Sequence, residues 1–117
     1  MTDKALKACA DYARLSAEIK RLRNEIGAHL IACLESKEAK GIRPIDTCLS
    51  EAYACEKDED GRYFLDASEQ DEILSKCIYC SAAHEAIQAR KAARKQFGIL
   101  KRSISAIGRA AITRGEA

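Results

Sequence analysis

Cys77-Ile78-Tyr79-Cys80 is the stretch of this chain best suited to chemistry. Two thiols three positions apart can face one metal ion, because a tight turn or the first turn of a helix brings their sulfurs together. Zinc takes four tetrahedral ligands at about 2.3 Å from each sulfur, so four donors are needed within about 4 Å of one another. Upstream, Cys48 and Cys55 are expected to complete the set, with Cys33 and His84 as substitutes. Cys48 and Cys55 cannot both bind from one unbroken helix, since seven positions would hold them about 10 Å apart along its axis. Either the turn-rich stretch after Pro44 bends between them, or only one of them binds and Cys33 or His84 replaces the other. His84 falls four residues after Cys80, on the same helical face. Cys33 sits on an apolar seam, where a buried thiol needs no further role, and Cys9 is read as structural in the same way. With all four positions filled by protein, the expected cofactor is one structural Zn2+ per chain.

The second chemical signal is cationic. Lys91, Lys95, Arg102 and Arg109 fall in one narrow sector of a helix, and Arg94 and Lys101 flank them toward its apolar side. Such a stripe neutralises phosphates and gives salt-dependent affinity for nucleic acid. It carries no aromatic residues on which bases could stack, so sequence-specific reading of single strands is not expected. The same residues also suit the solvated outside of a coiled coil, or pairing with the acidic stretch of a neighbouring copy. A protein partner or host enzyme, bound through the helical surface or the acidic insert, is the alternative to nucleic acid.

Other motifs fail on inspection. Glu56, Asp58, Asp60 and Gly61 match the start of a calcium loop, but its twelfth position is Ala67 rather than a bidentate glutamate. No phosphate loop, His-Glu-x-x-His or Gly-x-Ser-x-Gly occurs, and the chain is expected not to be an enzyme.

The elements that must position these residues are helical. Aromatic residues make up only 5 % of the 117 and there is one proline, which favours helices packed through small and aliphatic side chains. Residues 3–38 read as one long helix with a seam at Ala5, Ala8, Tyr12, Leu15, Ile19, Leu22, Ile26, His29 and Cys33. A second covers 79–112, with a seam at Ala83, Ala86, Arg90, Ala93, Phe97, Leu100, Ile104, Ile107 and Ala111. Steps alternating between three and four are those of a coiled coil. Thr2 suits the first cap, Gly41 the first helix's end, and Pro44 a break. Between the helices, Asp46 or Thr47 can cap a short helix through Tyr53. Asp58–Gly61 reads as a turn into a short strand at 62–65, and Ser68 as the cap of a further helix.

The expected fold is mainly all-α: two long helices in an antiparallel coiled-coil-like hairpin, a central zinc-stabilised loop region at 42–76, and room for a short β-hairpin there. The 117 residues are read as a single domain. Tyr12 and Leu15 should face the Leu100–Ile104 region, and Cys33 should approach Ala83. A seam only two helices wide buries little, so a second copy is a natural partner. Charge is segregated: residues 1–40 carry +2, residues 41–80 carry −6 and residues 81–117 carry +6. The start of the chain has no signal-peptide pattern and no apolar run approaches the roughly 20 residues of a membrane span, so a cytoplasmic protein is expected.

The C-terminal half, in Cys77-Ile78-Tyr79-Cys80, Ala82-Ala83-His84, Arg90-Lys91-Ala92-Ala93-Arg94-Lys95 and Lys101-Arg102, resembles small uncharacterised zinc-binding proteins encoded by phages and prophages. The resemblance covers about a third of the chain and brings no catalytic residues with it. It implies a small accessory protein of a kind that binds DNA or inhibits a host enzyme.

Overall fold

The computed structural model describes residues 3–42 and 46–115. It contains four helices and one small sheet among them: α1 (Asp3–Ala39), α2 (Cys48–Ala52), β1 (Glu56–Lys57), β2 (Tyr63–Phe64), α3 (Ala67–Ser75) and α4 (Ile78–Thr113). The fold is mainly all-α, and α1 and α4, with 37 and 36 residues, dominate it. The expected roles of Thr2 and Pro44 fall outside the described residues.

The local reasons for each boundary are visible. Helix α1 ends in a Schellman arrangement: Ile42 N–H donates to the Lys37 carbonyl and Gly41 N–H to that of Glu38, both at 3.0 Å. Gly41 sits at φ +76°, a conformation that the missing Cβ makes inexpensive. Thr47 caps α2, its Oγ1 accepting from Ser50 N at 3.2 Å. The cap of α3 is Asp66 rather than the expected Ser68, with Oδ1 accepting from Ser68 N and Glu69 N. A carboxylate at that position satisfies two orphan donors and meets the positive end of the helix, which a serine two residues later cannot do. Strands β1 and β2 pair antiparallel, Glu56 opposite Phe64 and Lys57 opposite Tyr63. Their turn is held by Asp58, whose Oδ1 accepts from Asp60 N at 3.0 Å and Arg62 N at 2.8 Å, with Gly61 at φ +81°. The acidic run is therefore an Asx-type turn, its first carboxylate engaged by backbone donors.

The chain divides into two compact units, and both long helices contribute to each. One comprises the described residues of Met1–Arg23 and Gln88–Ala117. In it the helices pack antiparallel: Lys4 shares a hollow with Ile107 and Arg114, while Ile19 and Arg23 share another with Arg94. Ala8, Leu15, Leu22 and Ala93 are its buried residues. Tyr12 meets the Phe97 ring at 4.8 Å between centroids, one turn short of the expected Leu100. Phe97 also carries Lys101 Nζ over its face at 4.6 Å. The Leu side chains in this seam each contribute about 1.5–3 kcal/mol by burial.

The other unit, Asn24–Ile87, holds the larger core. Cys33, Leu49, Ala52, Leu74, Cys80 and Ala83 form one buried cluster, with Leu30, Tyr53, Ile73, Tyr79 and Ile87 packed around it. Cys33 and Ala83 thus come together as their seam positions require. Ala83 is 0 % exposed and stands one helical turn beyond Cys80. Ala83→Leu adds bulk where no space exists and should lower stability by about 1–3 kcal/mol, read as a lower urea midpoint with unchanged slope.

Candidate functional site

Cys33, Cys48, Cys77 and Cys80 bring their four sulfurs within 4.8 Å of one another. Four elements or junctions deliver them. Cys33 comes from the last third of α1, Cys48 is the first residue of α2, Cys77 lies in the short link between α3 and α4, and Cys80 is in α4's first turn. Cys77 and Cys33 are 3.7 Å apart, sulfur to sulfur. Four thiolates at about 2.3 Å from one zinc ion would stand about 3.8 Å from each other, so the cluster has the spacing of a tetrahedral four-thiolate site to within small adjustments. The same 3.7 Å is far beyond a disulfide's S–S length of about 2.05 Å, and all six cysteines are free thiols.

Cys77 does two jobs. Its carbonyl accepts the first bond of α4, from Ser81 N at 2.9 Å, and its sulfur accepts from Cys80 N at 3.4 Å. That is the position of a helix N-cap, where an anionic sulfur meets both an orphan N–H and the positive end of the helix. Burial pushes the Cys77 thiol up, but bonds from the Cys80 backbone and thiol, and from Cys33 and Cys48, together outweigh it and hold the thiol below its ordinary range. Cys48 is pushed up to about 11, first by burial and then by the neighbouring Cys33 and Cys77. Cys80 is also pushed up, by burial first and by its bond with Cys33, while the Leu49 backbone N–H aimed at its sulfur pulls the other way.

Cys55 does not belong to this site. Helix α2 ends at Ala52, and Tyr53, its C-cap, turns the chain outward into β1. Cys55 is left exposed on that exit, its sulfur 4.0 Å from the Tyr53 carbonyl oxygen. The bend after Cys48 exists, but it carries Cys55 away from the other sulfurs, and Cys33 takes the fourth place. Cys33 is 1 % exposed and reaches the site because the seam that buries it faces the loop region. His84 is not part of the cluster either. Its Nδ1 is 2.6 Å from Tyr53 Oη, with the rings edge to face at 5.6 Å, so it ties α4 to the end of α2.

A second group of titratable side chains, Glu56, Asp66 and Glu69, lies on the exposed side of the same unit. Glu69 is raised above the ordinary carboxylate range by its bond with Glu56 and by that group's charge. Asp66 is already engaged as the α3 cap.

All six cations singled out on α4, Lys91, Arg94, Lys95, Lys101, Arg102 and Arg109, are exposed. At about 100° per residue, Lys91, Lys95, Arg102 and Arg109 lie within about 40° of one another, and the seam of Ala93, Phe97, Leu100 and Ile104 is centred about 180° away. Arg109, Lys101 and Arg102 line a hollow with Ser105. Comparison with protein-family models, curated proteins and solved structures finds no match. No helix among the described residues is long and apolar enough to cross a membrane.

Proposed function

We propose that Cys33, Cys48, Cys77 and Cys80 hold one structural zinc ion, and that the chain is a small non-enzymatic accessory protein of the phage type. In this reading the outer face of α4 binds nucleic acid. The observation that carries the metal is the convergence of four sulfurs from four separate places in the chain. Hydrophobic packing alone gathers apolar groups; it does not need four thiols within one ligand shell. Thiolate donors and a closed tetrahedral set favour zinc over harder divalent ions, which prefer oxygen. The observation that carries the nucleic-acid half is the placement of four cations directly opposite the buried seam, spread over about 27 Å of helix axis.

Zinc binding has a proton signature. With Cys48 and Cys80 both raised, the metal-free site holds their protons at neutral pH, and the ion must expel them to bind. Titrating zinc into weakly buffered protein near pH 7 should release at least two protons per ion, and apparent affinity should fall as pH is lowered. Binding without acidification would mean that the ion sits elsewhere.

A labelled 25-mer, single- or double-stranded, should bind at low salt with an affinity that falls steeply as salt rises. A second reading, a module that binds or inhibits a protein partner, draws on the acidic unit instead. Tyr63 is 72 % exposed and stands beside exposed Phe64 and Leu65 on the hairpin. Absence of oligonucleotide binding at low salt, with capture of a partner that is lost in Tyr63→Ala, would favour that second reading.

A further inference from the structure

Besides the α4 stripe, one hollow of about 290 Å³ is lined by Ser16, Ile19, Lys20 and Arg23 of α1 and by Arg94 of α4. Its lining brings three cations and a hydroxyl together and includes no carboxylate. Ser16, Lys20 and Arg23 follow the i, i+4, i+7 spacing that places side chains on one ridge of a helix. Nearby cations on α1 are matched with acids: Lys7 and Arg14 pair with Asp11, and Arg21 with Glu18. Among the described residues no ion pair involves Lys20, Arg23 or Arg94, and all three are exposed. Three like charges converging from two helices repel one another, and an anion seated between them removes that repulsion. Two guanidinium forks and an ammonium around a hydroxyl match the tetrahedrally arranged oxygens of a phosphoryl group better than the two of a carboxylate.

We propose that Ser16, Lys20, Arg23 and Arg94 form a phosphate seat that extends the nucleic-acid surface from α4 onto α1. This rests on the nucleic-acid reading above and deepens it. Lys91 and Arg94 are three residues apart, with Cβ atoms about 5–6 Å from each other, so a backbone resting on Lys91 passes Arg94 and enters the notch. The seat then holds a phosphodiester on the flank of the helix pair, while the stripe holds the phosphates on its crest.

The test compares three proteins by fluorescence anisotropy with a labelled 25-mer duplex and its single strand, across a salt series. They are the full chain, Lys20→Gln/Arg23→Gln, and Lys95→Gln/Arg102→Gln/Arg109→Gln. All the altered residues are exposed, and circular dichroism verifies that each variant is folded. The notch variant should lose roughly 10-fold in affinity near 0.1 M salt, with a log–log salt slope shallower by about one, for the one phosphate the seat holds. An unchanged slope and affinity in that variant, beside a weakened stripe variant, overturns the seat and leaves the nucleic-acid reading standing. If the unaltered chain binds neither oligonucleotide at low salt, the nucleic-acid reading falls. The seat is then decided by titrating tripolyphosphate into 15N-labelled protein. Saturable shifts at the amides of Ser16, Lys20, Arg23 and Arg94 uphold it, and their absence overturns it.

Discussion

Stripping zinc with a strong chelator should unfold residues 24–87. Structural zinc in small domains contributes an apparent binding free energy of about 10–16 kcal/mol near neutral pH, while whole domains are stable by only about 5–15 kcal/mol. The core it would support is small: its largest fully buried side chains are Cys33 and Cys80, both proposed ligands. Removing the proposed ion would therefore deprive the cluster of its centre and leave Cys48 and Cys80 as protonated thiols in apolar surroundings. Hydrogen exchange should show loss of protection across α2, α3 and the flanking turns of α1 and α4, and should recover when zinc is restored. Two substitutions sharpen the assignment. Cys33→Ser should abolish stoichiometric zinc in native mass spectrometry and reproduce the unfolding, whereas Cys55→Ser should keep the metal and the melting temperature of the unaltered chain. Zinc retained in full by Cys33→Ser would dismiss the proposed ligand set.

The second large effect concerns the crest of α4. Lys95→Gln/Arg102→Gln/Arg109→Gln removes three exposed cations without touching the seam, so the helix should stay folded. Every phosphate left without its cation makes the log–log salt slope shallower by about 0.9, and the three changes together should weaken binding by about a hundredfold or more near 0.1 M salt. The loss should be similar for oligonucleotides of unrelated sequence, because side chains held against phosphates carry no base information. A variant that binds as the unaltered chain does would move the interaction off this face. A loss that differs strongly between sequences would place some of these side chains against base edges instead.

The two seams are readable from the sequence because helical periodicity is a local property. Ala8, Leu15, Leu22, Ile26 and Cys33 on α1, and Ala83, Ala86 and Ala93 on α4, are buried where steps of three and four put them. Thr47 and Gly41 are readable for a similar reason, since each satisfies backbone groups within a few residues of itself. The four-cysteine cluster is only half legible. Cys77 and Cys80 carry their own geometry in a three-residue step, but which sulfurs join them depends on the direction in which the chain leaves α2. The end of the short helix at Tyr53 is legible, but nothing in residues 53–55 announces that the chain then turns outward and carries Cys55 with it. Cys33 poses the converse difficulty, because its place on the seam accounts for its burial so completely that no second role is needed. The cap of α3 lies two positions before the expected one since Asp66 and Ser68 are both good acceptors, and the choice between them is made by where the chain leaves β2.

The order in which the sulfurs appear has a consequence for biosynthesis. Cys33 and Cys48 are translated first, and the other two follow only after the whole acidic segment. At about 5–20 residues per second, the interval from Cys48 to Cys77 is roughly 1.5–6 s, during which a nascent chain would offer the proposed ion only two of its four sulfurs. Closure of the proposed four-sulfur shell would therefore wait for the start of α4 to leave the ribosome. A product terminated anywhere between Cys48 and Cys80 would lack at least one of the four clustered sulfurs, however well its first helix had formed.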